Sequence, residues 1–248
     1  MPADEINSVD WSAIPTPRLR IPQVGRSVPE WYELRSPARG LQDLATATSV
    51  PAVADAASSL GSSAILWEHM GAVFPAAVTA APFLLAVLER DYRPARDAAR
   101  GLLSGMLNSA PFPEFNRVPA ADGSAPPLCC AIARLVRARS DTVLALGKPG
   151  RLMLEECDRH WRFRTTDVFV DSGDVIAFGY LDGTIPAPGA AGEAHMDGVI
   201  TQLASVAPEY PVQGPGEEAM VRIEGAADEN VCAPGTVIFP ADCGNQVH

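Results

Sequence analysis

Basic side chains almost vanish from the last third of the chain. Residues 165–248 carry a single base, Arg222, against 13 acids, a balance of −12, whereas residues 1–164 carry 18 bases and 17 acids, or +1. The overall net charge of −11 therefore belongs to one segment, and that segment excludes a continuous basic footprint for nucleic acid. Lysine is nearly missing as well: arginine supplies 18 of the 19 bases. Met1–Asp10 holds three acids and no base, the reverse of the positively charged start of a secretion signal, which points to the cytoplasm. The five cysteines, Cys129, Cys130, Cys157, Cys232 and Cys243, are an odd number without the spacing of a disulfide framework, as suits a reducing compartment. The G-x-S-x-G elbow of a serine hydrolase is missing too. The longest uncharged run, Gly71–Leu88, contains Pro75, Thr79, Pro82 and many weakly apolar alanines, so it reads as a buried helix and not as a membrane span.

What remains is an ordinary globular composition, 248 residues with 47% hydrophobic and 20% charged, enough to bury a core without covalent staples. Six prolines in the first 37 residues predict an extended lead-in, with only short helical pieces such as Pro29–Arg35. Apolar residues at steps of three and four then predict helices over Ala38–Thr46, Pro51–Leu60, Pro75–Leu88 and Pro94–Asn108, one from Leu128 to about Leu146, and one over Arg151–His160. The Pro75 helix is apolar nearly all round and must be central, with Pro82 kinking or dividing it. From Trp161 the period changes to two. Trp161–Val170 and Val175–Leu181 predict a hairpin with Gly173 at its turn, and His195–Leu203, Ala219–Glu224 and Thr236–Phe239 predict further strands. The expected class is α+β, with a lead-in over 1–37, a helical domain over 38–160 and an acidic, antiparallel β-rich domain over 161–248.

Within the helical part, Gly71, Phe74–Pro75, Ala77, Ala80–Ala81 and Pro82-Phe83-Leu84 form a pattern that resembles the HEAT-repeat-like proteins common in high-GC actinobacteria. The resemblance covers about residues 28–146 and is strongest over 28–108. It implies an α-solenoid and a protein-binding role, for example as an immunity protein that blocks a toxin, or a nucleic-acid-processing role found in a few relatives.

Metal and catalytic candidates lie near the boundary. Cys157-Asp-Arg-His160 has ligand-like spacing, with Cys232, Cys243, His195 and His248 as distant partners, but the matched pairs of a structural zinc site are missing; no metal and no cofactor are expected. Cys129-Cys130 opens a predicted helix, where a thiolate would be favoured, with no base assigned to it. Asp171-Ser-Gly-Asp174 is too short for a calcium loop. The leading reading is a protein-binding module whose Asp171, Asp174, Asp182, Glu217 and Glu218 meet a basic protein partner of immunity, antitoxin or regulatory type. The eight bases between 134 and 164, against four acids, are read as a docking surface for the acidic end in preference to nucleic acid. The alternative is an enzyme or biosynthetic accessory protein with a pocket where the two parts meet, lined by Trp67 and Trp161, with His69 and His160 as its catalytic candidates.

Overall fold

Helices fill the first two thirds of the chain in the computed structural model, which describes residues 3–15, 36–112, 115–209, 217–225 and 229–245. The expected helix at Pro29–Arg35 and the candidate ligand His248 lie outside those residues. After α1 (Ala3–Asn7), α2 spans Ser36–Thr46 and α3 spans Val50–Ser59. The α3 start is set by Ser49, whose hydroxyl accepts the Ala52 N–H at 3.4 Å, with Pro51 in the first turn. Two short strands, β1 (Leu66–Trp67) and β2 (Ala72–Val73), precede α4 (Ala76–Val87) and α5 (Arg93–Asn108). A third, β3 (Ala110–Pro111), pairs with β2 to complete a small sheet. Then follow α6 (Leu128–Arg137), α7 (Ser140–Leu144) and α8 (Lys148–Asp158).

Helix α4 is the hub. Seven of its twelve residues are buried, and it packs against α2, α5 and α6, the enclosure that an all-apolar helix demands. Pro82 neither divides it nor ends it, because Pro82 is on the exposed side, where water reaches the carbonyl that it leaves unpaired. This packing overturns the expected HEAT-like solenoid. In a solenoid each repeat touches only its neighbours, but here α5 touches α3, α4, α6 and α8. Short strands interrupt the helices, and a last helix, α9 (Ala241–Asn245), follows the barrel and packs back on α6. Paired helices of similar length mimic a repeat in sequence, yet burying α4 on all sides requires a cluster.

A close approach fixes the α7–α8 corner. A Cβ on Gly150 would lie 1.8 Å from the Val143 carbonyl oxygen, a backbone atom that cannot rotate away. Gly150→Ala is expected to cost about 1–3 kcal/mol through overpacking. Chemical denaturation would register this as a lower midpoint with an unchanged slope; a wild-type midpoint would show that the helices are not in contact there.

The rest is a closed antiparallel barrel of six strands, β4 (Arg162–Asp171), β5 (Asp174–Asp182), β6 (Ala190–Met196), β7 (Val199–Pro208), β8 (Glu217–Ile223) and β9 (Val237–Pro240), in the order β4-β5-β8-β7-β6-β9. Ser172 and Gly173, with φ of 55° and 92°, make the two-residue turn of the first hairpin. Asp197 and Gly198, with φ of 49° and 78°, make another between β6 and β7. The expected single strand His195–Leu203 is thus two strands: Asp-Gly favours the left-handed turn, and the apolar run around it continues on both sides. Trp161, Phe163, Val175, Leu181, Val221 and Ile238 fill the barrel interior. No helix among the described residues is long and apolar enough to cross a membrane.

Candidate functional site at the junction of helices and barrel

Three elements far apart in sequence bring polarizable groups to one point. Cys129 and Cys130 occupy the first turn of α6, His160 lies in the turn between α8 and β4, and Cys243 is carried by α9. One potential ligand atom from each lies within 4.8 Å of all the others. The His160 ring is fixed from both sides: Nδ1 is 3.2 Å from the Cys243 sulfur, and Nε2 is 2.9 Å from the Leu107 carbonyl oxygen. A carbonyl only accepts, so Nε2 bears the proton and the Nδ1 lone pair faces the sulfurs. The thiols polarise one another. Side-chain hydrogen bonds from Cys130 and Cys243 pull Cys129 well below the ordinary thiol range, while burial pushes Cys130 well above it.

Clefts open on both sides of this cluster. The larger, about 840 Å³, lies between α6, the loop over 118–126 and the barrel mouth; Cys130 and His160 reach it together with Val118, Leu135, Phe239 and Arg134. The smaller, about 520 Å³, is reached by Cys129, His160, Cys243 and Trp161. In the larger cleft Arg137 and Arg162 are already engaged. Arg137 donates to the Cys157 and His160 carbonyls, and Arg162 pairs with Asp122 at 2.7 Å and Asp182 at 3.7 Å. Arg134 is exposed and makes no ion pair among the described residues.

The barrel is tied to the helical part by a buried polar triad. Glu193, fully buried, receives Arg117 on one carboxylate oxygen at 2.5 Å and His195 on the other at 3.0 Å. His195 Nδ1 accepts the Ala125 N–H at 3.1 Å, so neither ring nitrogen is free for proton transfer. No protein family, curated protein or solved structure matches the chain.

The sequence candidates are scattered by the fold. His160 is at the centre of the junction, and Trp161, beside it, is buried in the barrel core while touching the smaller cleft. Trp67 is half-buried in β1 and His69 is exposed; neither lines the junction clefts. Cys157 is outside the four-residue cluster, buried in the helical core with its thiol pushed up to about 12 by burial, and Cys232 is likewise pushed to about 12 inside the barrel. The acids divide. Asp171 ends β4 and Asp174 opens β5 across the hairpin turn, both against Arg222, at 3.6 and 3.1 Å. Asp182 is at the other end, paired with Arg162, and register places Glu217 and Glu218 opposite Leu181 and Tyr180 there. The two ends are roughly 25 Å apart at the ordinary rise of a strand. Among the bases of 134–164, most serve their own surroundings: Arg139 pairs with Glu89, Arg159 bonds Asn108 and Arg164 lies over the Tyr180 ring. Across the junction, Arg162 of that group pairs with Asp122 of the helical part, and Arg117, outside the group, pairs with Glu193 of the barrel. The Cys129-Cys130-Cys243 grouping escaped sequence reasoning because no local spacing connects a doublet to a cysteine more than a hundred residues later.

Proposed function

We propose that this protein is a small-molecule-binding protein, with or without catalysis, that takes an organic anion with an apolar body into the larger junction cleft. The observation that carries this reading is Arg134: an exposed guanidinium without an ion-pair partner among the described residues, beside a mainly apolar wall in a cleft of about 840 Å³, a size and character typical of ligand sites. Arg137 and Arg162 share that wall, but their charges are matched by Asp158, Asp122 and Asp182, which leaves Arg134 as the guanidinium of this lining open to an anion. Such a site holds a carboxylate or phosphate at its rim and an alkyl or aryl body against Val118, Leu135 and Phe239. Calorimetric titration with decanoate and with decylamine tests the charge preference. Decanoate is expected to bind and decylamine to bind at least about tenfold more weakly, and Arg134→Glu to weaken decanoate by about 10–100-fold, the worth of one charge-assisted hydrogen bond. Equal binding of both probes, or decanoate binding unaltered by Arg134→Glu, would contradict the reading.

One observation favours a second reading, recognition of a basic protein partner by the acidic barrel. Arg222, the one base beyond residue 164, is already surrounded by Asp171, Asp174 and Glu209, so Glu218, Glu224, Asp197 and Asp242 face solvent without it and favour a cationic partner. Neutralising Asp197, Glu218, Glu224 and Asp242 together should abolish salt-sensitive capture of such a partner; unchanged capture would remove this reading. The five unpaired thiols support placement in a reducing compartment such as the cytoplasm.

A further inference from the structure

We propose that Cys129, Cys130, His160 and Cys243 form a zinc site that staples α6, the α8–β4 turn and α9 together. The donor set is three sulfurs and one imidazole nitrogen, the Cys₃His combination that selects zinc among the common divalent cations. The four atoms lie within 4.8 Å of one another. Tetrahedral zinc, with bonds of about 2.0–2.3 Å, needs ligand-to-ligand edges of about 3.5–3.8 Å, so small rotations of the side chains complete the shell. Cys129, Cys130 and His160 are buried and Cys243 is half-buried, and four protein ligands leave no coordination position for substrate, as in a structural site.

The histidine distinguishes a ligand set from a packing cluster. Thiols alone fill a core as small apolar groups. Here Nε2–H is spent on the Leu107 carbonyl, which aims the Nδ1 lone pair at the Cys243 sulfur. Metal-bound histidines are held in this way by a backbone acceptor behind the ring. The remaining two cysteines behave differently: Cys157 and Cys232 are buried singly, with no such partner set among the described residues. Binding is not a redox step. Zinc stays divalent, the three thiols give up to three protons to solvent, and the histidine already offers a lone pair.

The site is independent of the organic-anion reading, since loss of metal with decanoate binding retained would leave that cleft standing. The full-length chain, purified under reducing conditions, is to be loaded with zinc or cobalt and measured for bound metal. One equivalent per chain is expected, with cobalt giving thiolate charge-transfer bands and tetrahedral d–d bands. Cys130→Ser and Cys243→Ser should each weaken zinc by more than about 100-fold, above the 10–100-fold typical of losing a group behind a ligand, while Cys232→Ser binds as wild type. The wild-type chain supplies a second readout that does not depend on the folding of any variant: a chelator should raise the alkylation rate of Cys129, Cys130 and Cys243 at least tenfold and leave Cys157 and Cys232 unchanged. Metal content below one tenth of an equivalent after loading, cobalt spectra without thiolate bands, unaltered affinity in both cluster variants, alkylation indifferent to chelator, or a disulfide among the three cysteines in the reduced preparation would each overturn the proposal.

Discussion

Replacing Trp161 by alanine is expected to lower the unfolding free energy by about 3–5 kcal/mol, the range for removing a large buried aromatic. Only 1% of Trp161 is exposed, and it packs in the barrel interior with Phe163, Leu181 and Ile238. It is also the residue between His160 and the first residue of β4, so a void there loosens the passage from helices to barrel. Trp161→Phe keeps most of the volume and should cost about 1–2 kcal/mol. Urea denaturation followed by far-ultraviolet circular dichroism separates the outcomes. A large drop for alanine with a small one for phenylalanine is the packing result. Wild-type stability in Trp161→Ala, accompanied by lost ligand binding, would instead return Trp161 to the pocket-lining role read from sequence.

Glu193→Leu should destabilise by about 3 kcal/mol or more, because it removes the acceptor of two buried donors. Arg117 and His195 each direct an N–H at Glu193, and neither finds a replacement once the carboxylate is gone. Breaking a buried pair by deleting one partner typically costs about 3–5 kcal/mol; the lower end applies because the Arg117 side chain keeps 20% exposure. The same carboxylate makes stability depend on pH. Burial pushes its pKa up, but the hydrogen bonds from His195 and Arg117 and the Arg117 charge outweigh burial and hold it below the usual glutamate value. A group lowered in the folded state contributes stability above its unfolded pKa, about 4.3, and loses it as pH falls through the lower folded value. The stability gap between wild type and Glu193→Gln should therefore be constant from neutrality down to about pH 5 and narrow below about pH 4.3. A gap that widens on acidification would mean that the carboxyl is protonated in the fold.

The helices were legible wherever an apolar stripe recurred at three and four residues: Ala95, Ala99, Leu102, Leu103 and Met106 are all buried in α5, since one face of that helix does the packing. The arrangement of helices was not legible. Nothing in the local pattern distinguishes a helix that stacks beside its neighbour from one enclosed by three others, and the resemblance rested on packing residues that either arrangement uses. In the barrel, Asp197-Gly198 was hidden by apolar residues on both sides, although its left-handed turn decides where β6 ends. The junction was the least legible feature. His160 stood out as a titratable group beside a change of period, but its partners come from the start of α6 and from α9, and only the closed barrel brings α9 back onto α6. The acidic residues misled in the opposite sense: their charge is evident in sequence, but the capture of Asp171 and Asp174 by Arg222, and of Asp182 by Arg162, is a tertiary event.

Amide hydrogen exchange with and without saturating decanoate most directly tests the claim that the junction of helices and barrel is where this protein meets its ligand. Protection is predicted in residues 118–120 and 130–138 and around Phe239, the segments that line the larger cleft, with the outer β4–β5 surface at Phe169 and Phe178 unchanged. Protection confined to that outer surface, or no protection anywhere, would contradict it.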